Sequence, residues 1–105
     1  MPMTVVVRGM KYSLQGPYDM IAEADKLKEL PGVYVVHCSR ADQYTRLDVG
    51  RTDAVWSAIM THERRDCWLE NCNGRVLVSA YYTESRREVF EQAIRSEFNL
   101  PCGGK

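Results

Sequence analysis

The fold of this chain is decided by the stretch Gly32-Val33-Tyr34-Val35-Val36-His37-Cys38, an uninterrupted run of mostly β-branched and aromatic residues. Such a run suits a central strand of a sheet. The polar segment 39–43 follows it and predicts a hairpin loop. Residues 44–49 then alternate, with Tyr44, Arg46 and Asp48 on one face and the remaining three residues on the other, and they predict the returning strand.

The sequence before this hairpin predicts a strand–helix extension. Residues 4–8 contain three consecutive valines and indicate a buried strand, and residues 10–15 predict a second short strand. Residues 18–30 have helical spacing, with Met20, Ile21, Ala24 and Leu27 on one face. The dipeptide at 31–32, proline then glycine, ends this predicted helix.

The sequence after the hairpin predicts helix, strand and helix. Thr52 or Asp53 is a suitable N-cap for a helix that runs to about His62. A turn signal at 71–74 precedes residues 75–82, which are apolar on both faces, as in an interior strand. Ser85 and Glu88 have the spacing of a capping box and predict a last helix, whose apolar face holds Phe90 and Ile94.

These elements predict an α+β fold, with a small, largely antiparallel sheet flanked by helices. The length of 105 residues predicts a single domain, 1–105, with a strand–helix extension at 1–31 and a β-β-α-β-α core at 32–101. No apolar run is long enough for a membrane span, and the N-terminus lacks the pattern of a signal peptide. The expectation is therefore a cytoplasmic protein without a membrane partner.

Charge and cysteine content narrow the function classes. The net charge is zero, with 14 basic and 14 acidic side chains, whereas proteins that grip phosphate backbones usually carry a basic surplus. Nucleic acid is therefore a possible but weak partner, and a protein partner is the alternative. The four cysteines form no C-x-x-C pair, so the expectation is free thiols in a reducing compartment.

The order of motifs from Gly32 to Pro101 resembles the GIY-YIG nuclease family. Gly32-Val33-Tyr34 matches the opening motif, and Val49-Gly50 ends the second motif, whose tyrosine is replaced by Asp48. His62 and Glu91 stand where the family places a histidine and a metal-binding glutamate. Ala58 stands where the family has its catalytic arginine.

The resemblance implies a set of catalytic and metal-binding residues. It assigns Tyr34 as base or water-positioning group, His62 as a supporting residue, and Glu91 as the ligand of one Mg²⁺ ion. Because aspartate disfavours strands, Asp48 is either a site residue or a solvent-facing residue at the sheet edge. Without the arginine at 58, a guanidinium from Arg51, Arg64 or Arg65 would have to stabilise the charge that develops on the phosphate.

Each candidate also has an ordinary structural interpretation. Tyr34 suits a sheet-surface tyrosine, His62 suits a helix C-terminus, and Glu91 lies four residues from arginines on both sides. Arg64, Arg65 and Arg87 belong to a set of arginines that predicts a nucleic-acid-binding face, but intervening acidic residues offset them and favour a solvated surface.

Three functions follow from these observations. The first is a GIY-YIG-like domain with weak or lost nuclease activity that serves as a binding scaffold, which the two replaced positions favour. The second is an active, divergent Mg²⁺-dependent endonuclease. The third is an unrelated small α+β protein-interaction domain, which would be favoured if Tyr34 and Glu91 lay on opposite faces of the sheet.

Overall fold

The computed structural model describes residues 3–41 and 43–102. They form an antiparallel five-stranded sheet in the order β1-β2-β5-β3-β4. The strands are β1 Met3–Val7, β2 Met10–Asp19, β3 Gly32–Arg40, β4 Gln43–Thr52 and β5 Arg75–Tyr82. The predicted α+β class and antiparallel sheet are confirmed, and β3 lies between β5 and β4 as an interior strand.

In the described part of the chain, three α-helices accompany the sheet: α1 Val55–Met60, α2 Arg65–Glu70 and α3 Arg87–Glu97. Helix α1 corresponds to the helix predicted to run to about His62, but it ends at Met60, and His62 lies in the loop between α1 and α2. The predicted capping box at Ser85 is wrong, because α3 has Arg86 as its N-cap residue and no side chain caps its first turn. Thr83 accepts a hydrogen bond from the Arg86 amide at 3.3 Å instead.

The helix predicted over residues 18–30 is also wrong. Strand β2 continues to Asp19, and only Ala24–Lys26 form a single turn of 3-10 helix. The carboxylate of Asp19 accepts the amides of Ile21 and Ala22 at 2.8 and 2.9 Å, so a side chain satisfies backbone donors and competes with the helix. Ile21, assigned to the buried helical face, is 79% exposed.

Each face of the sheet carries its own core. One core lies against α1 and α2 and includes Tyr34, Leu47 and the fully buried Trp68. The other lies against α3 and includes Val49, Phe90 and Ile94. The N-terminal hairpin β1–β2 belongs to the same sheet through the β2–β5 pairing, so it extends the core instead of forming a separate layer.

All four cysteines are paired in disulfides, Cys38 with Cys72 and Cys67 with Cys102, so the expectation of free thiols is wrong. The first disulfide joins β3 to the turn after α2. The second joins α2 to the segment after α3. No helix among the described residues is long and apolar enough to cross a membrane.

Candidate functional site

Four of the predicted site residues, Tyr34, Asp48, His62 and Arg64, meet on the face covered by α1 and α2. Tyr34 comes from β3, Asp48 from β4, and His62 from the loop between the two helices. Arg64 comes from the end of that loop, and Trp68 joins them from α2. Arg64 and Trp68 are hydrogen-bonded to Asp48, and Tyr34 is hydrogen-bonded to His62. The backbone amide of Arg64 connects the two groups through His62.

A β-bulge in β4 directs Asp48 into this face. Val36 of β3 pairs with Asp48 and His37 pairs with Arg46, so Leu47 is the extra residue in the register. Strict alternation would place Leu47 and Asp48 on opposite faces. The bulge instead lets both pack into the core that contains Tyr34 and Trp68, and both are removed from solvent.

The carboxylate of Asp48 is buried but fully paired. One oxygen accepts hydrogen bonds from Arg64 Nε and Trp68 Nε1, both at 2.8 Å. The other accepts the Val49 amide at 2.8 Å and Arg64 Nη2 at 3.3 Å. A carboxylate has about four acceptor sites. Asp48 therefore has no lone pair left for a metal ion or for a reacting group.

Arg64 compensates the negative charge of Asp48. Burial by itself would lower the pKa of this guanidinium, but the hydrogen bond and charge of Asp48 outweigh burial and raise it. The side chain of Arg64 is 31% exposed, and its Nε atom contacts the buried carboxylate of Asp48 at 2.8 Å. The arginine is thus already occupied by a partner within the fold.

The hydrogen bonds of His62 define its tautomer. The Arg64 amide donates to His62 Nδ1 at 3.1 Å, so Nδ1 is an acceptor and the proton of the neutral ring lies on Nε2. Nε2 then donates to the Tyr34 hydroxyl oxygen at 2.5 Å. Burial, followed by the charge of Arg64, lowers the pKa of His62 and keeps the ring neutral at neutral pH.

Tyr34 is held as a protonated phenol. Burial, followed by the negative charge of Asp48, raises its pKa to about 12. Its ring lies over Gly50 of β4, where any Cβ atom would collide with the Tyr34 ring and hydroxyl, so the glycine is required for this packing. A phenol with this pKa, hydrogen-bonded to a histidine that donates to it, is poorly suited to act as a base.

Glu91 belongs to a different group, on the helix that covers the other face of the sheet. Its carboxylate lies between Arg51, with Nε at 3.4 Å, and Arg95, with Nη2 at 3.3 Å. Arg95 also donates to the carbonyl of Val49 at 2.8 Å. The charges of Glu91 and Arg95 reach Tyr34 only as weaker, opposing influences on its pKa. Tyr34 packs in the core against α1 and α2, whereas Glu91 lies on α3, the helix that covers the other face of the sheet.

Glu91 as placed does not fit a magnesium ion. Its side chain is only 13% exposed, and both oxygens are engaged by guanidinium groups, whose positive charge would repel a dication. In the part of the chain that the structure describes, no three histidine, cysteine, aspartate or glutamate side chains converge as metal ligands.

Each of the three arginines expected to bind nucleic acid has a partner within the fold. Arg64 is bound to Asp48, and Arg65 donates to the carbonyls of Ile59 and Met60 at 3.3 and 3.1 Å, at the end of α1. Arg87 donates to the Thr52 carbonyl and to the Asp53 carboxylate, at 2.8 and 2.5 Å. Each of these arginines connects elements within the fold.

Two polar features escaped the sequence analysis. The sequence indicates no polar role for Trp68, yet its indole N–H donates a hydrogen bond to Asp48. His37 is buried on the α3 face, where burial, followed by the charge of Arg46, lowers its pKa to about 3. The spacing of β3 places His37 on one face, but nothing in the sequence indicates a histidine that stays neutral.

No family model, no curated protein and no solved structure matches this chain. The GIY-YIG resemblance therefore still rests on the short motifs in the sequence and stays a prediction.

Proposed function

We propose that this chain is a protein-interaction domain without nuclease activity, the third of the functions considered above. The observation that carries the proposal is the packing of Tyr34 in the core against α1 and α2, while Glu91 lies on α3, which covers the other face of the sheet. Phosphodiester hydrolysis requires water activation and charge neutralisation around a single phosphate. Here the Tyr34 phenol is hydrogen-bonded to His62, and the Glu91 carboxylate is bound by Arg51 and Arg95, so both groups are engaged within the fold.

The bonding of each candidate residue supports the same proposal. Asp48 is saturated with hydrogen bonds, Tyr34 has a raised pKa, and Glu91 is enclosed by two arginines. The side chain of Ala58 is half-buried against the core below α1 and offers no charge. Of the possible replacements for the missing arginine, Arg51 is bound to Glu91 and Glu88, and Arg64 to Asp48.

Exposed apolar side chains favour a protein as the partner. Trp56 and Met60 lie one turn apart on α1 and are 40% and 38% exposed, and Leu69 on α2 is also exposed. Tryptophan and methionine are enriched at protein interfaces. A nucleic-acid partner is less suited to the chain because its net charge is zero and its site arginines are paired internally.

The disulfides bear on where such a domain works. Disulfides persist in oxidising compartments and are rare in the cytosol. We therefore place the domain in an oxidising compartment, in preference to the cytoplasmic location expected from the sequence.

The test is incubation of the purified protein with supercoiled plasmid and with single-stranded DNA, in Mg²⁺ and then in Mn²⁺, beside Glu91→Ala. We expect no nicking by either protein at high protein concentration, and no binding of a labelled DNA duplex at low salt. Nicking that disappears in Glu91→Ala would establish an endonuclease. DNA binding without nicking, weakening steeply with salt, would support the degenerate nuclease scaffold instead. Circular dichroism confirms that both proteins are folded.

A further inference from the structure

Strand β1 forms one outer edge of the sheet and, within the described residues, pairs only with β2. The two strands are joined by Arg8 and Gly9, whose φ angles of 52° and 77° are those of a two-residue type I′ turn. Such a turn makes Val7 and Met10 the hydrogen-bonded pair that closes the hairpin. Hydrogen-bonded and non-hydrogen-bonded pairs alternate along an antiparallel ladder. The backbone N–H and C=O of Thr4 and of Val6 therefore point away from β2.

A contact at the turn supports this direction. The amide of Arg8, next in the same outward series, donates to the two carboxylate oxygens of Glu97 at 3.4 and 3.3 Å. Glu97 thus closes the edge at its turn end. Over residues 3–41 and 43–102, no comparable group meets the outward peptide groups of Thr4 and Val6.

The opposite edge of the sheet is covered. Along β4, the carbonyl of Leu47 accepts the Cys102 amide at 2.9 Å, that of Val49 accepts Arg95, and that of Thr52 accepts Arg87. Proteins protect an edge strand by covering it or by placing lysine or proline on it. Strand β4 has such cover, whereas residues 4–7 of β1 are threonine and three valines, with Val6 54% exposed.

We propose that β1 pairs antiparallel with β1 of a second copy of this chain, across a two-fold axis at Val5. In this register Thr4 of each copy lies opposite Val6 of the other, and each pair exchanges two backbone hydrogen bonds. The outward N–H groups of each copy therefore donate to the outward carbonyl groups of the other, as a two-fold interface requires.

Charge favours a second copy as the occupant. A two-fold interface brings identical residues near one another, so a charged edge would repel itself. Residues 4–7 carry no charge, and the net charge of the chain is zero. The pairing joins two five-stranded sheets into one continuous sheet. It does not depend on the protein-interaction function proposed above.

The decisive variant is Val6→Pro. Because the Val6 amide points outward, proline removes a donor of the dimer while the β1–β2 ladder keeps its hydrogen bonds. Light scattering after size exclusion is expected to give a molar mass of twice 12.1 kDa for the wild type and 12.1 kDa for Val6→Pro. Val6→Thr, which keeps the amide and a β-branched side chain, is the matched control and is expected to remain dimeric.

Hydrogen exchange provides a second measurement. Dimerisation is expected to slow exchange of the Thr4 and Val6 amides by about tenfold or more relative to the diluted protein. The Thr4 amide is expected to show the same slowing relative to Val6→Pro, which has no amide N–H at position 6. If circular dichroism shows that Val6→Pro does not fold, Val6→Lys takes its place, because an edge lysine disfavours strand pairing. A monomeric wild type overturns the proposal, and so does a dimer that survives Val6→Pro or Val6→Lys.

Discussion

The carboxylate of Asp48 illustrates how hydrogen-bond partners allow a charged group to be buried. Burying an isolated carboxylate is costly, and the cost is offset only when hydrogen bonds and an opposite charge replace water. Arg64, Trp68 and the Val49 amide provide that replacement. The sequence marked Asp48 as unusual for a strand and left a site residue or a solvent-facing residue as its two interpretations. The structure shows a third arrangement, a buried ion pair.

We expect Asp48→Ala to lower the free energy of unfolding by about 3–5 kcal/mol, because it leaves Arg64 partly buried without its partner. Urea denaturation followed by tryptophan fluorescence measures this loss.

Asp53→Ala is the matched control for Asp48→Ala. Its carboxylate also contacts an arginine, Arg87, but its side chain is 91% exposed. Exposed ion pairs contribute little to stability. Equal unfolding free energies for the two variants would contradict the structural role given to Asp48.

Strands and helices differ in how far the sequence predicted them. All five strands were predicted, because β-branched runs and alternation report burial directly, as in β3 and β5. Residues 18–30 satisfied the helical pattern equally well, yet Asp19 binds two following amides and β2 pairs with β5 up to Asp19. Tertiary pairing therefore outweighed local spacing. Helix α2 was not predicted: like α1 it has only six residues, but the residues before it, His62 to Arg64, include no N-cap signal such as Thr52 or Asp53.

Helix α3 allows a sharp test of the packing between helix and sheet. Phe90 is completely buried against Tyr12 and Tyr81, with ring centroids at 4.2 and 5.2 Å. We expect Phe90→Ala to reduce the free energy of unfolding by about 3–5 kcal/mol, through lost transfer energy and the cavity left behind.

The adjacent residue supplies the control for Phe90→Ala. Val89 is 64% exposed, so Val89→Ala removes little buried area, and alanine is a good helix former. Thermal unfolding of the two variants should therefore differ widely. Similar melting temperatures would show that another face of α3 meets the sheet.

Across the whole chain, the arrangement of side chains in space was predicted less well than the elements. Tyr34, Asp48 and His62 were expected near one another, and they share one face. Glu91 was expected with them but lies on α3, on the other face. The sequence fixes neither the side of the sheet on which a helix packs nor the register shift at Leu47 that turns Asp48 inward. Cysteine spacing likewise did not indicate pairing, because both disulfides join distant segments.

The disulfides connect these distant parts, and their removal is the last prediction. The paired cysteines are 34 and 35 residues apart, so each bond closes a similar loop of the unfolded chain and is expected to stabilise the fold by about 4 kcal/mol. Domains of this size are stable by roughly 5–15 kcal/mol, so full reduction should remove most of that margin. We expect a large fall in melting temperature on reduction, and intermediate values for Cys38→Ser/Cys72→Ser and Cys67→Ser/Cys102→Ser. Thiol titration of the denatured, unreduced protein should find no free cysteine; four reactive thiols, with a melting temperature insensitive to reductant, would show that the cysteines are unpaired.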